Sequence, residues 1–140
     1  PSPRLDFAPR RGQGNPMSMT LIQVALGGAL GASARYLTGI AALRLMGPGF
    51  PWGTLTVNIL GSFVMGLLVV TLAHLGGNRL APFLMTGILG GFTTFSTFSL
   101  DTLTLWQRGD ILAATAYVGG SLVLSLTAIV AGVALARSFT

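Results

Sequence analysis

Cysteine is missing from this 140-residue chain, and so are lysine and glutamate. Without a thiol there can be no disulfide framework, no thiolate zinc site and no cysteine nucleophile. Charge of either sign is scarce. Eight Arg and three Asp make up the whole set, 8% of the residues, where an ordinary soluble domain carries about 25%. A chain with so few charges cannot present a normal wetted surface, so lipid is its solvent. Histidine occurs once, His74, at the end of an apolar run. With no nucleophile–base pair and no cluster of metal-ligating side chains, the residues argue against an enzyme.

What is present is apolar. Hydrophobic residues make up 51% of the chain and the mean hydropathy is +0.75. Four spans follow one another, Leu21–Leu43, Gly53–Leu75, Phe83–Trp106 and Ile111–Ala136. Each exceeds the roughly 20 helical residues that cross a hydrocarbon core. Short turn-like connections rich in Gly and Pro separate them, and Trp52 and Trp106 stand at span ends, where aromatic belts lie. The expected fold is therefore an all-α membrane protein with four transmembrane helices. Residues 1–16 are Pro-rich and hold three of the arginines. They read as a disordered basic tail, which gives a division into a tail over 1–19 and a four-helix transmembrane domain over 20–140.

A net charge of +5 would point to nucleic acid on a soluble protein. Here the arginines beyond the tail fall singly near span ends, which suits headgroup anchoring and excludes a nucleic-acid role. Arg79 and Arg137 lie on one side of the four spans, and Arg35, Arg44 and Arg108 on or toward the other. So near a balance gives the positive-inside rule little direction. Loops so nearly balanced allow a chain to insert both ways up and to pair antiparallel with a second copy.

Inside the spans the polar groups are patterned. Thr54, Asn58 and Ser62 recur every four residues along the second span, and Tyr117, Ser121 and Ser125 do the same along the fourth, so each set forms one stripe on a helix face. Polar groups are costly in lipid and should face one another or water. Small and hydroxylated residues also serve as plain interhelical packing, but two parallel stripes favour a polar pathway. The third span carries the stretch GGFTTFSTFS, residues 90–99, with Phe92, Phe95 and Phe98 three apart and Ser or Thr in every gap. Phe95 and Phe98 can flank one groove, where positive ring edges meet an anion beside the hydroxyls of Ser96, Thr97 and Ser99. Gly90-Gly91 admits two readings. It can interrupt the helix and free carbonyls for a cation, or it can serve, as Gly87-x-x-x-Gly91, a close helix crossing.

The motifs Gly31-Ala32-x-x-Arg35-Tyr36, Gly53-Thr54-Leu55-x-Val57-Asn58-x-x-Gly61-Ser62-Phe63 and Gly90-Gly91-Phe92-Thr93-Thr94-Phe95-Ser96-Thr97-Phe98-Ser99 resemble those of the CrcB/Fluc family of fluoride channels, in order over residues 20–137. The resemblance implies a third helix broken near its middle and an antiparallel, dual-topology homodimer. It also implies two fluoride pores, one structural sodium ion between the protomers, and residence in the inner membrane of a bacterium. Such a channel exports fluoride passively and relieves its toxicity. Carried over by position, Phe95, Phe98, Asn58, Ser96, Thr97, Tyr117, Ser121 and Ser125 would line the pore and Arg35 its vestibule. Gly90 and Thr93 would offer backbone carbonyls to sodium. Asp101 stands where an acidic residue, often Glu, is expected. The alternatives are a dual-topology small multidrug-type exporter, which would need a membrane-embedded Glu that this chain lacks, and a non-conducting accessory subunit.

Overall fold

A computed structural model describes residues 16–76 and 79–140 of the chain. Helix α1 runs Met17–Met46, α2 Trp52–His74, and a π-helical segment, Pro82–Leu89, passes into the short α3, Gly90–Phe92. Thr93 and Thr94 are extended, after which α4 spans Phe95–Gln107 and α5 Ile111–Ser138. No strand occurs among the described residues. Four stretches, Met17–Met46, Trp52–His74, Pro82–Gln107 and Ile111–Ser138, are long and apolar enough to cross a membrane. Even the shortest, α2, rises roughly 35 Å at 1.5 Å per residue. The chain is a multi-pass membrane protein. Met17–Met19 are already helical, and the tail expectation otherwise falls on residues 1–15, outside the described ones.

Local chemistry sets the helix ends. Pro16 and Pro51 precede α1 and α2, and Pro82 opens the π segment, positions where a missing N–H breaks no helical bond. The connection between α4 and α5 turns at Gly109, whose φ of 78° suits only a residue without Cβ. Asp110 then caps α5, its carboxylate accepting from the Ala113 N–H at 3.3 Å. Thr94 caps α4 in the same way, its hydroxyl oxygen accepting from the Thr97 N–H at 3.2 Å.

Glycine seams hold the spans together. Along α2 and α5, a Cβ at Gly66 would fall on the Ile129 carbonyl and one at Gly132 on the Phe63 carbonyl. Along α1 and the third span, Gly27 faces the Phe83 carbonyl, Gly31 faces that of Ile88, and a Cβ at Gly91 would lie 2.7 Å from the Gly28 carbonyl oxygen. Lipid offers no hydrophobic drive between helices, so such close backbone approach supplies the packing energy. Of the two readings of the glycines, Gly87 and Gly91 serve the crossing. Gly90 is itself helical, with φ −63° and ψ −34°, and the extended residues lie three positions further on.

Candidate functional site

Three helices, α2, α4 and α5, and the extended pair build the site. On α2, Asn58 reaches Thr94 with both ends of its amide: Nδ2 donates to the Thr94 carbonyl at 3.0 Å, and Oδ1 accepts from the Thr94 N–H at 2.8 Å. One turn along, a Cβ at Gly61 would collide with the Thr93 methyl, so only glycine lets α2 approach this closely. Thr93 returns its hydroxyl to the Leu89 carbonyl at 2.9 Å. Because Thr94 donates to Asn58 and Thr97 to the Thr94 hydroxyl, the carbonyls of Gly90 and Thr93 lose the donors that a continuous helix would give them.

A cavity of about 350 Å³ lies against this junction, its wall including Asn58, Thr93, Phe95, Phe98, Ser121 and Ser125. The hydroxyls of Ser121 and Ser125 are buried without a hydrogen-bond partner. A helical hydroxyl normally has an easy remedy, the carbonyl four residues back. Ser33, Thr38, Thr71, Ser99, Thr104 and Thr115 all take it, at 2.7–2.9 Å. Ser121 and Ser125 do not. Leaving a buried donor unpaired costs about 1–3 kcal/mol, so these two hydroxyls stand out from the rest of the helical set.

Aromatic rings continue from one end of the cavity. The centroids of Phe95 and Phe98 are 5.5 Å apart, Phe98 and Tyr117 5.3 Å, and the edge-on pair Phe50 and Tyr117 5.6 Å. Tyr117 is fully buried in a cluster with Leu105 and Ala114, and its hydroxyl donates to Asp101 Oδ2 at 3.0 Å. Beyond it a second cavity, of about 310 Å³, opens under the α1–α2 connection and is lined by Thr54, Asp101, Thr104 and Arg108 among others. Tyr117 contacts rings that line each of the two cavities, Phe98 the first and Phe50 the second.

The expected site residues divide accordingly. Asn58, Phe95, Phe98, Ser121 and Ser125 share one cavity and Tyr117 abuts it. Ser96 and Thr97 line neither cavity. Both sit at the α4 N-terminus, where Thr97 is bonded to the Thr94 hydroxyl and Ser96 Oγ lies 3.3 Å from it. Arg35 is half-buried on α1 and lines neither cavity. Gly90 is exposed and Phe95 is 75% exposed, so one wall of the site faces outward. Two residues escaped the sequence reading. Thr94 was legible as a capping residue, being a Thr just ahead of a helical run. Phe50 was not, because nothing local ties a loop phenylalanine to a tyrosine far along the chain. No group of His, Cys, Asp or Glu that could hold a metal exists among the described residues.

Comparison with known proteins bears on the same residues. The family model described as "CrcB-like protein, Camphor Resistance (CrcB)" matches residues 22–133. The fluoride-specific ion channel FluC of Cereibacter sphaeroides is 63% identical over 123 residues, which cover 88% of this chain and 98% of that protein. The protein of the same name from Paracoccus denitrificans is 63% identical over 121 residues, 86% of this chain and 97% of the relative. That from Mesorhizobium japonicum is 52% identical over 119 residues, 84% and 96%. With glycine seams, cavity and hydroxyl stripes all inside the matched region, the chain belongs to the CrcB family.

Proposed function

We propose that this chain is a passive fluoride channel, working as an antiparallel homodimer in a bacterial plasma membrane with one pore along each protomer's hydroxyl stripe. The observation that carries the reading is the pair of unpartnered hydroxyls, Ser121 and Ser125, in a cavity walled by Phe95, Phe98 and Asn58. Fluoride is small and holds its hydration shell tightly. A path for it needs many modest donors in series and no deep trap, and hydroxyls, an amide and positive ring edges meet that need. The names of the relatives supply the ion.

Two exposed residues of the protomer support the dimer. Phe95 stands 75% exposed at the cavity wall, and Gly90 lies open at the surface. A second copy, inverted as the near-balanced arginines allow, would cover both and bring two pairs of freed carbonyls together. Gly90 and Thr93 would hold a sodium ion there through those hard oxygens. Bound, the ion would neutralise the carbonyls and tie the protomers to each other. Residues 20–140 form the channel domain, with the tail outside it.

The test is direct. Purified protein in liposomes loaded with potassium fluoride should release fluoride at channel rates once potassium is made permeant, and retain chloride under the same regime. Release of neither ion would leave an accessory subunit, and efflux that depends on a proton gradient would make the chain an exporter.

A further inference from the structure

The third span stops being helical at Thr93 and Thr94. The Thr94 hydroxyl, which caps the helix that follows, explains where α4 starts but not what holds the Thr94 backbone out of a continuous helix. In a continuous helix its N–H would return to the Gly90 carbonyl. Instead Thr94 is extended, with φ −154° and ψ 126°, and both of its backbone groups are bonded to one side chain on another helix, Asn58, at 2.8 and 3.0 Å. The amide treats Thr94 as a neighbouring strand would, taking its N–H and giving to its C=O. Gly61, on the same α2 face, removes the bulk that would hold the helices apart. A short Asn side chain can then reach.

We infer that Asn58 is the positioning residue that keeps the third span open, and that it mechanically joins the cavity to the freed carbonyls of Gly90 and Thr93. Only one of its two N–H bonds is spent on Thr94, and its side chain also lines the cavity beside Ser121 and Ser125. It therefore stands in both places at once. Remove the amide and the Thr94 N–H has one nearby alternative, the Gly90 carbonyl, whose capture would close the break and withdraw a cation ligand. Cation affinity and cavity shape are then linked reciprocally through a single side chain. The inference rests on the proposed cation role of those carbonyls for its second half, and on hydrogen-bond geometry alone for its first.

Two measurements separate these halves. Thr93–Thr94 is the sole Thr–Thr pair in the sequence. Labelling threonine with carbonyl-¹³C and amide-¹⁵N in the full chain therefore gives one directly bonded NMR correlation, reporting on the break. The wild-type shifts should be those of an extended pair. In Asn58→Leu, which matches the side chain in size and lacks both bonds, they should move toward helical values. Asn58→Asp, which keeps only the acceptor, should fall between. Helical shifts in the wild type, or unchanged extended shifts in both variants, would overturn the clamp. Second, dimer retention in size exclusion is followed while sodium chloride is replaced by choline chloride. The sodium needed for half retention should rise about tenfold in Asn58→Leu, within the usual range of coupling between sites. An equal sodium requirement in both proteins would overturn the link. A wild type indifferent to sodium would remove the cation reading and leave the clamp to be decided by the NMR pair.

Discussion

The two halves of the third span are built on opposite principles. From Pro82 to Phe92 the chain is pressed against α1, backbone to backbone, with Leu89 and Phe92 buried and the glycines of both elements interleaved. From Phe95 to Gln107 it stands away, touching α5 through Phe98 and Tyr117 and leaving Leu100, Leu103 and Trp106 at least half exposed. One half is an anchor whose position the protomer dictates. The other is a wall with one side furnished and the other left open. The same contrast appears between adjacent residues. A Cβ at Gly91 would meet the Gly28 carbonyl oxygen at 2.7 Å, whereas at Gly90 the nearest atom is the Met85 carbonyl oxygen, 3.7 Å away.

That contrast can be broken most severely on the anchored side. Gly31→Val drives a branched side chain into the Ile88 carbonyl, which has no room to retreat. The expected result is loss of the folded protein itself, seen as aggregation at the void volume in detergent. A well-behaved, fully active variant would mean that α1 is not seated as described. Gly90→Val should be gentler in kind. The protomer has space for it, so helical content should persist in circular dichroism while the dimer peak and the fluoride flux disappear together. A stable, conducting Gly90→Val dimer would show that Gly90 faces lipid and that the furnished wall needs no second copy there.

Smaller again is the effect of emptying the cavity of its hydroxyls. Ser121→Ala with Ser125→Ala deletes two unsatisfied groups. Thermal stability should hold or rise slightly, since unpaired buried donors cost about 1–3 kcal/mol each. Fluoride efflux should fall at least about tenfold, the change that ~1.4 kcal/mol in a barrier produces. Stability and flux moving in opposite directions is the mark of groups kept for an ion rather than for packing. Undiminished flux would hand the whole path to the aromatic rings. At the foot of the scale, removing residues 1–15, which precede the family match at residue 22, should change neither dimer yield nor efflux.

Much of this was readable before any coordinates. All four spans lie within a few residues of their expected limits, the largest difference being at the start of α1, Met17 against Leu21. Long apolar runs bounded by Pro and Gly leave the backbone little choice in lipid. The i, i+4 stripes likewise located Asn58, Ser121 and Ser125, because helix geometry alone decides which residues share a face. The helix interruption was harder to read. Gly90-Gly91 is the local signal, yet both glycines are helical-side residues, and the extended pair is Thr93–Thr94. Its position depends on Asn58, 36 residues earlier, and no window of local sequence contains that fact. Ser96 and Thr97 show a contact that the local pattern also left out. Once Thr94 leaves the helix they are the first turn of a new one, gathered around the Thr94 hydroxyl that caps it. The Tyr117 bond to Asp101 joins residues whose types suggest many partners each, and only packing selects the pair.

Starting a new helix at Phe95 has a further electrical consequence. The span runs Pro82–Gln107, so α4 begins at its midpoint, as far from either headgroup layer as the chain allows. Its aligned peptide dipoles place about half a positive charge at that end, against the cavity that Phe95 and Phe98 help to wall. Unlike an arginine, this charge cannot swing away, pair with a carboxylate or change with pH. It is also too weak to hold an anion for long. A chain nearly devoid of charged residues thus carries a permanent, shallow electrostatic well halfway along its third span, made entirely from uncharged backbone.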